Sequence, residues 1–137
     1  MCKIIMIKKT IFALSTNPGK SALAIIRISG PQAYKTIQKI SSNPPTKANV
    51  ATLNNILDTN GEVVDQTITT FYKSPKSFTG EDLIEIILHG GNAVIKKTIS
   101  IISAFKNTRI ANPGEFTRRA FENNKLDLTQ VEAISDL

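Results

Sequence analysis

The sequence has one cysteine, one histidine and no tryptophan, and only 6% of its 137 residues are aromatic. Cys2, at the extreme amino terminus, has no second thiol and no neighbouring ligands. A disulfide framework and a cysteine-based metal site are therefore excluded, and a reducing cytoplasm fits. His89 has no assigned Ser or Cys partner, so a turn-flanking or ligand-lining role before Gly90-Gly91 is expected instead of nucleophile activation. The scattered aromatics form no aromatic-and-basic stripe of the kind that stacks single-stranded nucleic acid. Lys8-Lys9-Thr10 interrupts the apolar residues of the first segment, and a turn follows where a cleavage site would be needed. Neither a signal peptide nor a membrane span is expected, and Met6 is an alternative start. No repeat or low-complexity segment appears.

What is present is a chain with 41% hydrophobic residues, enough for one core plus the start of something else. The net charge of +6 favours an anionic partner, while a merely solubilising lysine-rich surface stays open. Gly19-Lys20-Ser21 imitates the tail of a phosphate-binding loop, but the glycine needed five residues earlier is Leu14, and a strand pattern follows instead of a helix. Nucleotide binding there is rejected.

Periodicity gives an α/β order. Thr10 to Leu14 reads as a short strand, Asn17-Pro18-Gly19 as a turn, and Ala22 to Ser29 as a second strand. Pro31 suits the first position of a helix reaching about Ser41, which Asn43-Pro44-Pro45 stops. Val50 to Leu57 and Val64 to Tyr72 read as strands joined by the hairpin-type turn Asp58-Thr59-Asn60-Gly61. Asp82 to His89 is a further strand, and Ile95, Ile99 and Ile102 mark a helix over Asn92 to Phe105. Asn112-Pro113-Gly114-Glu115 combines an N-cap residue, a proline at the first helical position and a following acid, so a helix should start there. Asp127 with Gln130 opens another, in which Leu128, Val131 and Ile134 share a face still apolar at Leu137.

Two charges stand out against this pattern. Alternation places Arg27 with Ile25 and Ser29 on one strand face, and Glu85 with Leu83 and Ile87 on another. Burying either alone costs several kcal/mol, roughly, so each needs a counter-charge or a polar ligand. Two solutions stay open: the pair meets across the sheet, or both face a ligand. Lys125, between two expected helices, reads by position as an ordinary solvated lysine.

The ordered set Asn17-Pro18-Gly19-Lys20, Ile25-Ile26-Arg27-Ile28-Ser29-Gly30-Pro31, Ser77-Phe78-Thr79-Gly80-Glu81-Asp82, His89-Gly90-Gly91, Asn112 to Phe121 and Lys125 to Gln130 resembles the amino-terminal domain of the TrmE/MnmE family of tRNA-modification GTPases. The segment Lys20-Ser21-Ala22 departs from that family, which has an Arg followed by small residues. The resemblance implies an α/β (α+β) fold, a mixed sheet flanked by helices like the folate-binding module of aminomethyltransferases. It divides the chain into an extension at 1–9, a folate-binding and dimerisation domain at 10–125, and the start of a truncated helical domain at 126–137.

By the same resemblance Arg27, Glu85 and Lys125 contact 5-formyltetrahydrofolate, and no catalytic or metal-binding residue is expected. A carboxylate such as Glu85 can accept two parallel hydrogen bonds from a pterin, and Arg27 suits polar or anionic parts of the ligand. The implied partners are a second copy of the chain and, in the full-length protein, a GidA-type (MnmG) flavoprotein and tRNA, in the cytoplasm. GTP, potassium and magnesium belong to the family's GTPase domain, whose motifs are not in this sequence, so the chain alone is expected to be inactive. The rival readings are a structural dimerisation module without ligand and a freestanding folate-dependent aminomethyltransferase-like protein.

Overall fold

A computed structural model describes residues 9–15 and 22–135. Cys2, Met6, the Asn17-Pro18-Gly19 turn and the imitation phosphate loop lie outside them, as does Leu137. The strands are β1 (Thr10–Leu14), β2 (Leu23–Ser29), β3 (Thr52–Leu57), β4 (Val63–Tyr72), β5 (Leu83–His89) and β6 (Thr108–Ile110). The helices are α1 (Ala33–Ile40), α2 (Asn92–Ser103), α3 (Glu115–Glu122) and α4 (Leu128–Ser135). One six-stranded sheet has the order β3-β4-β5-β2-β1-β6. Its pairs are antiparallel except β1 with β6, which is parallel, so the sheet is mixed and the fold is α/β as expected.

Alternation decides which face is covered. Ala24, Ile26 and Ile28 of β2 and Ile84, Ile86 and Leu88 of β5 all lie within 2% of full burial. They pack with Ala33, Ile37 and Ile40 of α1 and Ile95 and Ile102 of α2 in one core. Each such isoleucine or leucine contributes about 1.5–3 kcal/mol relative to exposure. The opposite face is more open: Ile25, Arg27, Glu85 and Ile87 are only partly buried, while Leu53 and Ile68 are 60% and 44% exposed.

Three local expectations need correction. Pro31 does not open α1. The helix is capped at Gln32, whose N–H donates to the hydroxyl of Thr10 at 2.7 Å, so a residue of β1 supplies the cap. Gly30 makes this approach possible, because at φ +136 a Cβ there would stand 2.7 Å from the Thr10 Cα. Pro113 likewise precedes its helix: Asn112 to Glu115 closes as a turn, with the Glu115 N–H on the Asn112 carbonyl at 3.0 Å and Gly114 at φ 74. Glu115 still reaches back to the Asn112 N–H at 2.9 Å, as a capping acid does. The third correction is β6, which periodicity did not indicate.

The hairpin between β3 and β4 closes with Asp58 Oδ1 accepting from the N–H groups of Asn60 and Glu62, both at 2.9 Å. At α4 the capping box forms reciprocally: Gln130 N–H donates to Asp127 Oδ1 at 2.7 Å, and Asp127 N–H to Gln130 Oε1 at 2.8 Å. Leu128 is nonetheless 62% exposed, so the start of that apolar face has no cover here. The Ile134 side chain lies outside the described residues.

Candidate ligand site

Arg27 and Glu85 stand directly opposite each other in the β2–β5 register. Arg27 Nε donates to Glu85 Oε2 at 3.1 Å, with the side chains 38% and 20% exposed. The charges that alternation placed among apolar neighbours thus meet, but on a face that solvent reaches. Neither Nη of Arg27 nor Oε1 of Glu85 has a partner among the described residues. Arg27 also forms part of the wall of a cleft of about 360 Å³, shared with the end of β1 and residues 111–117. That volume falls in the small-molecule range of about 300–1,000 Å³.

Lys125 is elsewhere. It lines a second, more open cleft beyond the carboxy-terminal end of α3, with Phe121, Leu126 and Leu128. Its backbone N–H closes the helix onto the Ala120 carbonyl at 2.7 Å, leaving the side chain exposed. An α3 of eight residues is about 12 Å long, so only an elongated ligand would reach from one cleft to the other.

Between the clefts lies an ion-pair network that the sequence reasoning missed. Glu115, with 1% of its side chain exposed, accepts from Arg109 Nη1 at 2.7 Å and Nη2 at 2.6 Å, and from Arg119 Nη2 at 3.3 Å. The Arg109 hydrogen bonds pull the Glu115 carboxyl down to about 2 against the opposing effect of burial, and the same bonds raise Arg109. Arg119, 5% exposed at its side chain, donates from Nη1 to Glu81 at 3.0 and 3.3 Å and from Nη2 to the Lys9 carbonyl at 2.7 Å. Glu81 accepts from the Ser29 hydroxyl at 2.9 Å, which shares a 2.7 Å hydrogen bond with Thr79. The motifs around Glu81 and Glu115 therefore meet in space and fasten α3 to the sheet. The available signal was an acid directly after a glycine in each of two turns, Gly80-Glu81 and Gly114-Glu115, with Arg119 one helical turn beyond Glu115.

His89 takes the turn-flanking place expected of it. Its N–H donates to Asp65 Oδ2 at 2.8 Å and its Nδ1 lies 2.7 Å from Asp65 Oδ1, with no Ser or Cys among its hydrogen-bond partners in the described residues. Among the described residues, no helix is long and apolar enough to cross a membrane.

The order of these motifs and the mixed sheet that unites them agree with a sequence comparison in which residues 10–125 match the family described as the GTP-binding protein TrmE N-terminus. The chain belongs to this TrmE amino-terminal family. It is 48% identical, over 93% of its length, to the tRNA modification GTPase MnmE of Thermotoga maritima. It is 46% identical, over 98% of its length, to the mitochondrial tRNA modification GTPase gtpbp3 of Dictyostelium discoideum. The mitochondrial tRNA modification GTPase mss1 of Schizosaccharomyces pombe is 47% identical over 93% of the chain. The chain covers 28%, 28% and 26% of these relatives, respectively, so it corresponds to the TrmE amino-terminal part of much longer proteins.

Proposed function

We propose that this TrmE-type domain binds a reduced folate, 5-formyltetrahydrofolate, and pairs with a second copy of itself. In the longer protein it would hold a one-carbon donor for modification of carbon 5 of the tRNA wobble uridine. The observation that carries the ligand reading is the Arg27–Glu85 pair. Its single Nε–Oε2 bond leaves both Nη groups and one carboxylate oxygen without a partner among the described residues, next to a cleft of about 360 Å³. A pterin offers adjacent N–H donors to the carboxylate and acceptors to the guanidinium. Lys125 would serve the anionic end of an elongated ligand.

Pairing is supported by the open sheet face. Leu53 lies opposite Ile68, Ile68 opposite Ile87 and Ile87 opposite Ile25, forming an apolar row across four strands. Two of its members are more than 40% exposed, the kind of row that a partner surface covers. A GidA-type flavoprotein and tRNA would engage the full-length protein, while GTP, potassium and magnesium would act in its GTPase domain. The expected cytoplasmic location extends to the mitochondrion, since two of the relatives carry that word in their names.

A ligand-free dimerisation module is the rival reading, and the 3.1 Å contact by which Arg27 and Glu85 neutralise each other favours it. Calorimetric titration with 5-formyltetrahydrofolate separates the two. Saturable binding supports the folate site, and no heat at millimolar ligand leaves only the structural role.

A further inference from the structure

The arginines and lysines of this chain have separate uses. All four arginines, Arg27, Arg109, Arg118 and Arg119, are ion-paired to carboxylates. Among the described residues no lysine side chain has a charge partner. The surplus positive charge is therefore lysine charge, and the helix layer carries much of it. Lys35 and Lys39 lie one turn apart on α1, Lys96 and Lys97 lie on α2, and Lys106 follows α2, all exposed. Neither helix contains an acidic residue. Asp58, at the edge of this layer, is occupied in capping its own turn.

We propose that the outer surface of α1 and α2 is a docking face for the phosphate backbone of RNA. This rests on the reading of the chain as part of a tRNA-modifying protein, but not on the folate site, which occupies the other side of the sheet. A basic stripe along adjacent helices in a domain of pI near 9.6 is the electrostatic footprint of a polyanion. No Arg, Trp or exposed aromatic belongs to this layer, so it offers charge without base stacking, and it recognises backbone and not sequence. An acidic peptide in the groove between the helices would match only part of the charge. That groove is bordered by Lys39 and Lys97 over Ile40, Ile101 and Phe105, and leaves Lys35, Lys96 and Lys106 outside it.

The test is fluorescence anisotropy of a labelled tRNA transcript titrated with the 137-residue chain at 50 and 200 mM salt. Four lysine–phosphate contacts give a salt exponent of about 3–4, hence a loss of affinity of roughly 50- to 250-fold over that range. The quadruple variant K35Q/K39Q/K96Q/K97Q removes exposed, unpaired side chains and should keep the fold and the folate titration unchanged. It should bind RNA more than tenfold more weakly at 50 mM salt, with the salt exponent near zero. The double variant K73Q/K76Q, on the loop beside α3, should behave as the unaltered chain. Absence of RNA binding at 50 mM salt, equal binding by the quadruple variant, or an equal loss in the double variant each overturns the proposal. Binding of poly-L-glutamate without binding of tRNA also overturns it, assigning the face to an acidic protein.

Discussion

Arg119 Nη1 spans both carboxylate oxygens of Glu81, at 3.0 and 3.3 Å, from a side chain only 5% exposed. The contact joins the loop before β5 to α3, and its other arm reaches Glu115 and the Lys9 carbonyl. Two carboxylates thereby share the buried guanidinium of Arg119 in one poorly solvated site. In such a site removing a partner costs far more than the net contribution of the pair, because the remaining charge stays buried.

Arg119→Ala should therefore destabilise the fold by about 3–5 kcal/mol. Arg119→Lys should recover part of this, since an ammonium supplies the charge but not the fork that spans Glu81, Glu115 and the Lys9 carbonyl. Urea unfolding of both variants checks the prediction. A loss below about 1 kcal/mol for the alanine variant would show that the network is solvated.

The carboxyl of Glu115 gives the fold an acid limit. Its folded value of about 2 lies below its ordinary 4.5, so it contributes stability that is fully present above pH 4.5 and lost as pH falls towards 2. The contribution is on the order of 3 kcal/mol. Unfolding midpoints should fall between pH 4.5 and 2 in the native chain, and Glu115→Gln should be less stable at neutral pH with a flatter acid limb. An unaltered acid limb in the variant would assign the acid sensitivity to other carboxylates.

How much of this was legible in sequence depended on the range of the cause. Alternation put Arg27 and Glu85 on matching strand faces, and they are register partners. It did not show that their face is open, because the run of isoleucines in β2 and β5 reads the same whether one face is covered or two. The capping box of α4 is local and was legible. The starts of α1 and α3 were not, because Thr10 supplies one cap from a distant strand and Gly114 begins the other in a left-handed turn. β6, with three residues and a single partner strand, is too short for any period to register. Lys125 was placed correctly in a loop, but its distance from the Arg27 cleft is a tertiary fact.

Gly30 should tolerate substitution less well than Gly61. Alanine at φ +136 would be strained and would also meet the Thr10 backbone at 2.7 Å, whereas Gly61 at φ +80 has nothing within 4 Å. Gly30→Ala is expected to cost about 2–5 kcal/mol and Gly61→Ala about 1–2 kcal/mol. Equal melting temperatures in the two variants would contradict this ordering.

Pairing through the open sheet face predicts that Leu53→Asp with Ile68→Asp yields monomers without unfolding, since both side chains are already exposed. Sedimentation should then move from a dimer to the 15.0 kDa monomer. If the unaltered chain already sediments as a monomer at micromolar concentration, the pairing proposal fails.

Arg27→Ala and Glu85→Ala distinguish a ligand site from a structural pair, and the partial exposure of the two side chains makes the outcome readable. At 38% and 20% exposure the pair itself contributes little to stability, about 1 kcal/mol or less, so neither substitution should unfold the domain. A bound folate would exclude water from these charges, and losing either then costs about 2–5 kcal/mol, or some tens to thousands of times in affinity. Lys125→Ala should cost less, because an exposed ammonium remains partly hydrated when the ligand is bound. Calorimetric titrations with thermal melts on the three variants provide the comparison. Folate affinity unchanged in the Arg27 and Glu85 variants would remove both residues from the site, while a sharp fall in melting temperature without ligand would mark the pair as structural.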